Sequence, residues 1–179
     1  FVDLEAFGNN NFSIEMDDLG LVIDWAEQNL FDKIDVNQIA LLGHSRGGGI
    51  SILKAYEDNR VKKVISWASV SDFKKRLPKE KDYIWKERGV AYVFNGRTNQ
   101  QMPIYYQFQE DFYRFQDRLD ISAAASSLSI PFLIVHGTED STVGLSEAYE
   151  LKECSKNSNL YLVEGADHVF NSKHPFEGV

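Results

Sequence analysis

The segment Gly43-His44-Ser45-Arg46-Gly47 constrains the fold more than any other stretch of this 179-residue chain. It follows the apolar run Ile39-Ala40-Leu41-Leu42 and precedes a helix-like stretch, so a buried strand must end, turn sharply and become a helix. Such a turn strains its middle residue and tolerates only small neighbours. It also lifts the Ser45 hydroxyl clear of the sheet at a helix N-terminus, where the dipole favours negative charge. Glycine–serine clusters are common turn punctuation; the strand before and the helix after make Ser45 a candidate nucleophile.

A serine hydroxyl needs a base, and the base needs an orienting acid. The chain has four histidines, His44, His136, His168 and His174. His44 lies inside the turn and is expected to point away from the serine. His136 closes the apolar run 131–135 and reads as a packed strand end, and His174, just before Pro175, reads as surface. His168 follows the run Leu160-Tyr161-Leu162-Val163, in a loop where a sheet delivers a base to its C-terminal edge, and is the favoured base. Asp140, just past the strand at 131–135, is the preferred acid, with Glu139 and Asp167 as rivals. Asp167 adjoins His168, and neighbours in an extended loop point apart; the longer arm of Glu139 asks for a different loop shape.

The order serine, aspartate, histidine is that of the α/β-hydrolase sheet. The segments Gly43–Gly48, His136–Val143 and Gly165–His168 resemble that superfamily, in the branch of dienelactone-hydrolase-like proteins, feruloyl (cinnamoyl) esterases and prolyl-oligopeptidase-type catalytic domains. The resemblance implies Ser45 as nucleophile, Asp140 as acid and His168 as base. Dienelactone hydrolases themselves use cysteine, so serine here argues for ordinary ester chemistry. It further implies an oxyanion hole from the Arg46 amide and a second amide that precedes this segment.

The expected architecture is α/β: the C-terminal half of a mostly parallel sheet flanked by helices, with an aromatic-rich cap insertion. Strands are predicted at 38–43, 61–67, 131–136 and 159–163, and the first reads as buried on both faces. Residues 1–10 read as loop. A helix starts near Ser13 as N-cap, with Leu19, Val22, Ile23, Ala26 and Leu30 along one face. An unpaired edge on an apolar central strand would be an aggregation template. The tail from His174 to Val179 shows none of the closing helix that the resemblance implies. The reading therefore expects a fragment of a longer chain, or a companion segment that supplies earlier strands of the same fold.

The charge balance, 19 basic against 27 acidic residues for a net −8, speaks against nucleic acid, and no basic stripe interleaved with aromatics occurs. No apolar run reaches membrane-spanning length. The single cysteine, Cys154, rules out an intrachain disulfide and ends the helical face Leu145, Ala148, Leu151 as packing. No metal or organic cofactor is expected, because no ligand cluster has suitable spacing. A homo-oligomer is allowed, and secretion is undetermined.

Residues 1–71 are read as the nucleophile part of the domain, 72–120 as the insertion and 121–179 as the part bearing acid and base. The insertion holds 11 of the 23 aromatic residues, which suits a cap over the site, packing onto the domain or a subunit contact; the cap is favoured. Within it, 72–88 reads as charged surface, Val90–Arg97 as a hairpin arm ending in Asn95-Gly96, and Ile104–Leu119 as an aromatic-rich helix. Arg114 and Arg118 read as a solvated ion-pair face beside Glu110, Asp111 and Asp117, with carboxylate binding the weaker option. The activity expected is hydrolysis of a small-molecule carboxylic ester. A serine peptidase of the prolyl-oligopeptidase type and a non-catalytic interaction module are the alternatives.

Overall fold

Leu41, Val64 and Phe132 lie side by side in register, and all three are buried. They mark the covered face of the main sheet in a computed structural model that describes residues 3–77, 82–96 and 98–172. Arg97 and His174 lie outside the described residues, as does part of the charged segment at 78–81. The helices are α1 (Leu4–Gly8), α2 (Phe12–Asn29), α3 (Arg46–Glu57), α4 (Asp82–Arg88), α5 (Gln107–Arg114), α6 (Ile121–Ser127) and α7 (Leu145–Cys154). The strands are β1 (Ile39–His44), β2 (Val61–Trp67), β3 (Val90–Asn95), β4 (Gln100–Tyr105), β5 (Phe132–Gly137) and β6 (Ser158–Val163).

The main sheet has the order β1-β2-β5-β6, every pair parallel, so the four predicted strands are neighbours in chain order. Helix α3 packs on β1 and β2, α7 on β5 and β6, and α6 between the two helices. The opposite face is different. Leu42 is 57% and Tyr161 62% exposed there, and Phe170 stacks on Trp67 with ring centroids 5.0 Å apart. The expectation that β1 is buried on both faces is therefore corrected. It alternates buried and exposed residues and stands at the sheet edge, because the helices that contact the sheet all cover the face bearing Leu41 and Gly43.

Three local readings also change. Residues 4–8 form a helical turn rather than a loop, since the Asp3 carboxylate accepts from the Ala6 amide and Gly8 presses against the Tyr105 ring. The cap of α2 is Asn11, not Ser13: its side chain accepts from Ile14 N at 2.9 Å, while the Ser13 amide and hydroxyl both donate to Asp111. Along α2, Met16 and Ile23 are buried but Val22 is 60% exposed, so the predicted face is narrower than expected. Phe12 anchors the start of the helix. It stacks on Phe73 at 3.9 Å and meets Phe108 at 4.6 Å, and its burial contributes about 2–3 kcal/mol.

Segment 72–120 begins with a 3-10 turn, Phe73–Arg76, whose Phe73 is buried. The hairpin is present as β3–β4, with Asn95 opposite Gln100. The single helix read from 104 to 119 is not. Met102, Pro103, Ile104 and Tyr105 pair antiparallel with Val93, Tyr92, Ala91 and Val90, and the helix runs only from Gln107 to Arg114. Cross-strand pairing outweighs the helical spacing of these aromatics. Of the two arginines, Arg118 finds distant partners and Arg114 an adjacent ring. Arg118 bonds Glu57 at 2.6 Å and Asp17 at 2.9 Å, and Arg114 lies 5.2 Å from the Phe115 ring centre.

Candidate active site

Gly43 and Gly48, not Gly47, make the turn after β1 possible. A Cβ on Gly43 would run into the backbone of Gly47 and the Ser51 hydroxyl, and one on Gly48 would strike the Ser69 side chain. Nothing lies within 4 Å of a Cβ placed on Gly47. Ser45 takes φ 57° and ψ −123°, a strained conformation for a non-glycine residue, and its amide donates to Trp67 O at 2.8 Å. Gly43→Ala is accordingly expected to destabilise the fold by upwards of about 3 kcal/mol. Gly47→Ala, in a helical first turn, is expected to be neutral or stabilising by up to about 1 kcal/mol. Urea unfolding of the two variants measures the difference, and equal losses would contradict this account of the turn.

The acid and the base come from loops after β5 and β6 that grip each other. The Gly165 amide donates to Thr138 Oγ1 at 2.8 Å, Glu139 N donates to Ala166 O at 3.0 Å, and a Cβ on Gly137 would meet the Ala166 carbonyl. Gly165 itself has φ +67°, where glycine is favoured. Asp140, 7% exposed, accepts from the Thr142 and Val143 amides at 2.8 Å each through Oδ1. Its Oδ2 lies 2.8 Å from His168 Nδ1, and His168 Nε2 lies 3.1 Å from Ser45 Oγ. A carboxylate can only accept, so Nδ1 carries the proton and Nε2 is free to accept from the serine. Burial by itself raises the Asp140 carboxyl. The hydrogen bonds from His168 and from the Val143 and Thr142 amides outweigh it and hold the group below the usual aspartate range.

The rival acids do other work. Asp167 Oδ1 accepts from the amides of Val169 and Asn171, and Glu139 is exposed. Arg46, whose amide opens α3, pairs its side chain with Glu15 at 2.7 Å. Burial pushes the Glu15 carboxyl up, against the pull of Arg46 and Asn10 and reinforced by Asp18.

Two histidines have contacts that the sequence reading missed. His44 was expected to face away from the serine; its Nε2 donates to the His168 carbonyl at 2.8 Å, with the rings 4.7 Å apart. Strand alternation carries the signal, since His44 is opposite Gly43 and so on the sheet face that the last loop crosses. His136 is fully buried, as predicted, but its Nε2 donates to Val143 O at 2.9 Å and lies 3.5 Å from Asp140 Oδ2. It thus braces the acid loop from beneath. Among the described residues no cluster of three or more His, Cys, Asp or Glu could hold a metal ion, and no helix is long and apolar enough to cross a membrane.

Solved structures that superpose on this fold are esterases, lipases and other α/β hydrolases. Est1E from Butyrivibrio proteoclasticus, solved with ferulic acid bound, is 20% identical and superposes with a TM-score of 0.71 over 92% of this chain and 63% of its own. The esterase domain of a Rhodothermus marinus protein is 19% identical, with a TM-score of 0.61 over 94% of this chain and 65% of its own. A monoacylglycerol lipase from Paleococcus ferrophilus is 16% identical, with a TM-score of 0.66 over 90% of this chain and 68% of its own. This chain therefore spans roughly two thirds of their length, and its fold is that of the α/β hydrolases. No curated protein matches it by sequence. The profile of the prolyl oligopeptidase family matches residues 5–175, and the chain belongs to that family.

Proposed function

We propose that this chain carries the catalytic centre of a serine hydrolase that cleaves carboxylic esters through an acyl-enzyme. The observation that carries the reading is the unbroken line from Ser45 Oγ through His168 to Asp140, with contacts of 3.1 and 2.8 Å. In the first step Ser45 Oγ attacks the ester carbonyl while His168 Nε2 takes its proton. Asp140, already hydrogen-bonded to Nδ1, stabilises the imidazolium that forms. The amide of Arg46 donates to the developing oxyanion. His168 then returns the proton to the leaving alcohol. In the second step it deprotonates water, which attacks the acyl-enzyme, releases the acid and restores the serine.

The aromatic insertion is read as a cap that shapes the substrate pocket. In support, β3–β4 keeps Tyr92 and Phe94 more than 60% exposed, while α5 is anchored to the core through Phe108 and Phe112. A peptidase is the second reading, favoured by the family to which the chain belongs. Rates on a short 4-nitrophenyl ester and on an aminoacyl anilide separate the two. The ester reading expects kcat/KM at least about a hundredfold higher on the ester, beyond its greater intrinsic reactivity. Clear preference for the anilide would replace it with the peptidase.

A further inference from the structure

A cavity of about 440 Å³ lies between α2, the 3-10 turn, α4, the β3–β4 hairpin and α5. That volume is in the range of small-molecule pockets. Its walls are largely apolar, with Phe12, Trp85, Ile104 and Phe108 among the lining residues. Three arginines, Arg46, Arg76 and Arg88, also line it, and among the described residues no acidic side chain does. This is a local inversion of sign in a chain of net charge −8.

The three arginines are not equivalent. Arg46 is neutralised by Glu15, and Arg76 by Glu147. Arg88, at the end of α4, has no ion-pair or hydrogen-bond partner among the described residues. The wall therefore carries one uncompensated guanidinium, the side chain best shaped to grip a carboxylate with two parallel hydrogen bonds.

The cavity also adjoins the proposed chemistry at two points. Arg46 directly follows Ser45, and Arg76 donates to the carbonyl of Thr142, whose amide in turn holds Asp140. Two of its lining residues thus connect the cavity to the elbow and to the acid loop. The geometry points to a specificity pocket for an anionic acyl arm: the substrate is an ester whose acyl chain is apolar and ends in a second carboxylate, held by Arg88 and untouched by the reaction. This rests on the ester-hydrolase reading, extends it to a substrate class and makes Arg88 its selector. The aromatic walls take the chain and Arg88 takes the charge. The bond lowers the free energies of bound substrate and transition state alike, so the selection appears in KM.

Two esters of equal chain length test this, 4-nitrophenyl hexanoate and mono-(4-nitrophenyl) adipate, on the native protein and on Arg88→Gln and Arg88→Lys. The native protein is expected to favour the adipate ester by at least about tenfold in kcat/KM, through KM. Arg88→Gln should bring the ratio near one, and Arg88→Lys should keep part of it. A ratio at or below one in the native protein, or one that survives Arg88→Gln, overturns the assignment. Titration with 4-phenylbutyrate, followed by tryptophan fluorescence through Trp85, reads the pocket without turnover. Binding at least about tenfold weaker in Arg88→Gln is expected; equal binding overturns the assignment. If neither ester is cleaved while that binding difference persists, the hydrolase reading falls and the anion site stands.

Discussion

Replacing Ser45 by alanine is expected to lower kcat for ester hydrolysis on the order of a millionfold, and adding His168→Ala should cost almost nothing more. In the proposed mechanism the two side chains act as one unit. His168 Nε2 stands 3.1 Å from Ser45 Oγ and has no proton to take once that oxygen is gone. The residual rate then comes from substrate binding and the oxyanion donors alone. Burst kinetics on a 4-nitrophenyl ester, with single and double variants compared, measure this non-additivity. Losses that multiply would mean that the two residues act independently, against the proposed mechanism.

Asp140→Asn is expected to lower kcat by about ten thousandfold while leaving the fold intact. The amides of Thr142 and Val143 both donate to Oδ1, so an asparagine must keep its carbonyl oxygen there and turn its NH₂ toward His168. That amino group donates to Nδ1 and forces the proton onto Nε2, which then faces Ser45 as a donor and cannot accept. Stability carries a second signature. The folded-state Asp140 carboxyl is held below its ordinary value of about 4, so its contribution is fully present above that value. It is lost as the pH falls through the folded value. The stability gap between native protein and variant should therefore be largest above about pH 5 and shrink below about pH 4. Urea unfolding across that range measures it; a gap that widens in acid would show that Asp140 is not the stabilised carboxylate.

What the sequence made legible is whatever local pattern specifies. The four predicted strands became four parallel neighbours in order, each boundary within about a residue or two, because short strand-like segments between helix-like stretches have few other solutions. Ser45, His168 and Asp140, named from their places at strand ends, stand in one hydrogen-bonded line. What escaped depends on partners far along the chain. Asn11 caps α2 where Ser13 looked equally able, because Ser13 is drawn to Asp111 98 positions away. Ile104 and Tyr105 pair in a strand although they also fit the start of a helix, and only the hairpin register decides between the two. His44 reads only as pointing away from the serine and His136 as a packed strand end, since no local pattern shows that one meets the backbone of His168 and the other lies beneath Asp140. Burial on both faces of β1 was inferred from composition, and composition does not say on which side the helices lie.

The central claim is that Ser45 is an activated nucleophile. Intact-mass spectrometry after exposure to a fluorophosphonate tests it most directly, because that reagent reports a serine deprotonated by its neighbour whatever the natural substrate. The account predicts a single adduct on the native protein and none on Ser45→Ala. A folded protein that takes no adduct, or whose adduct survives Ser45→Ala, would contradict it.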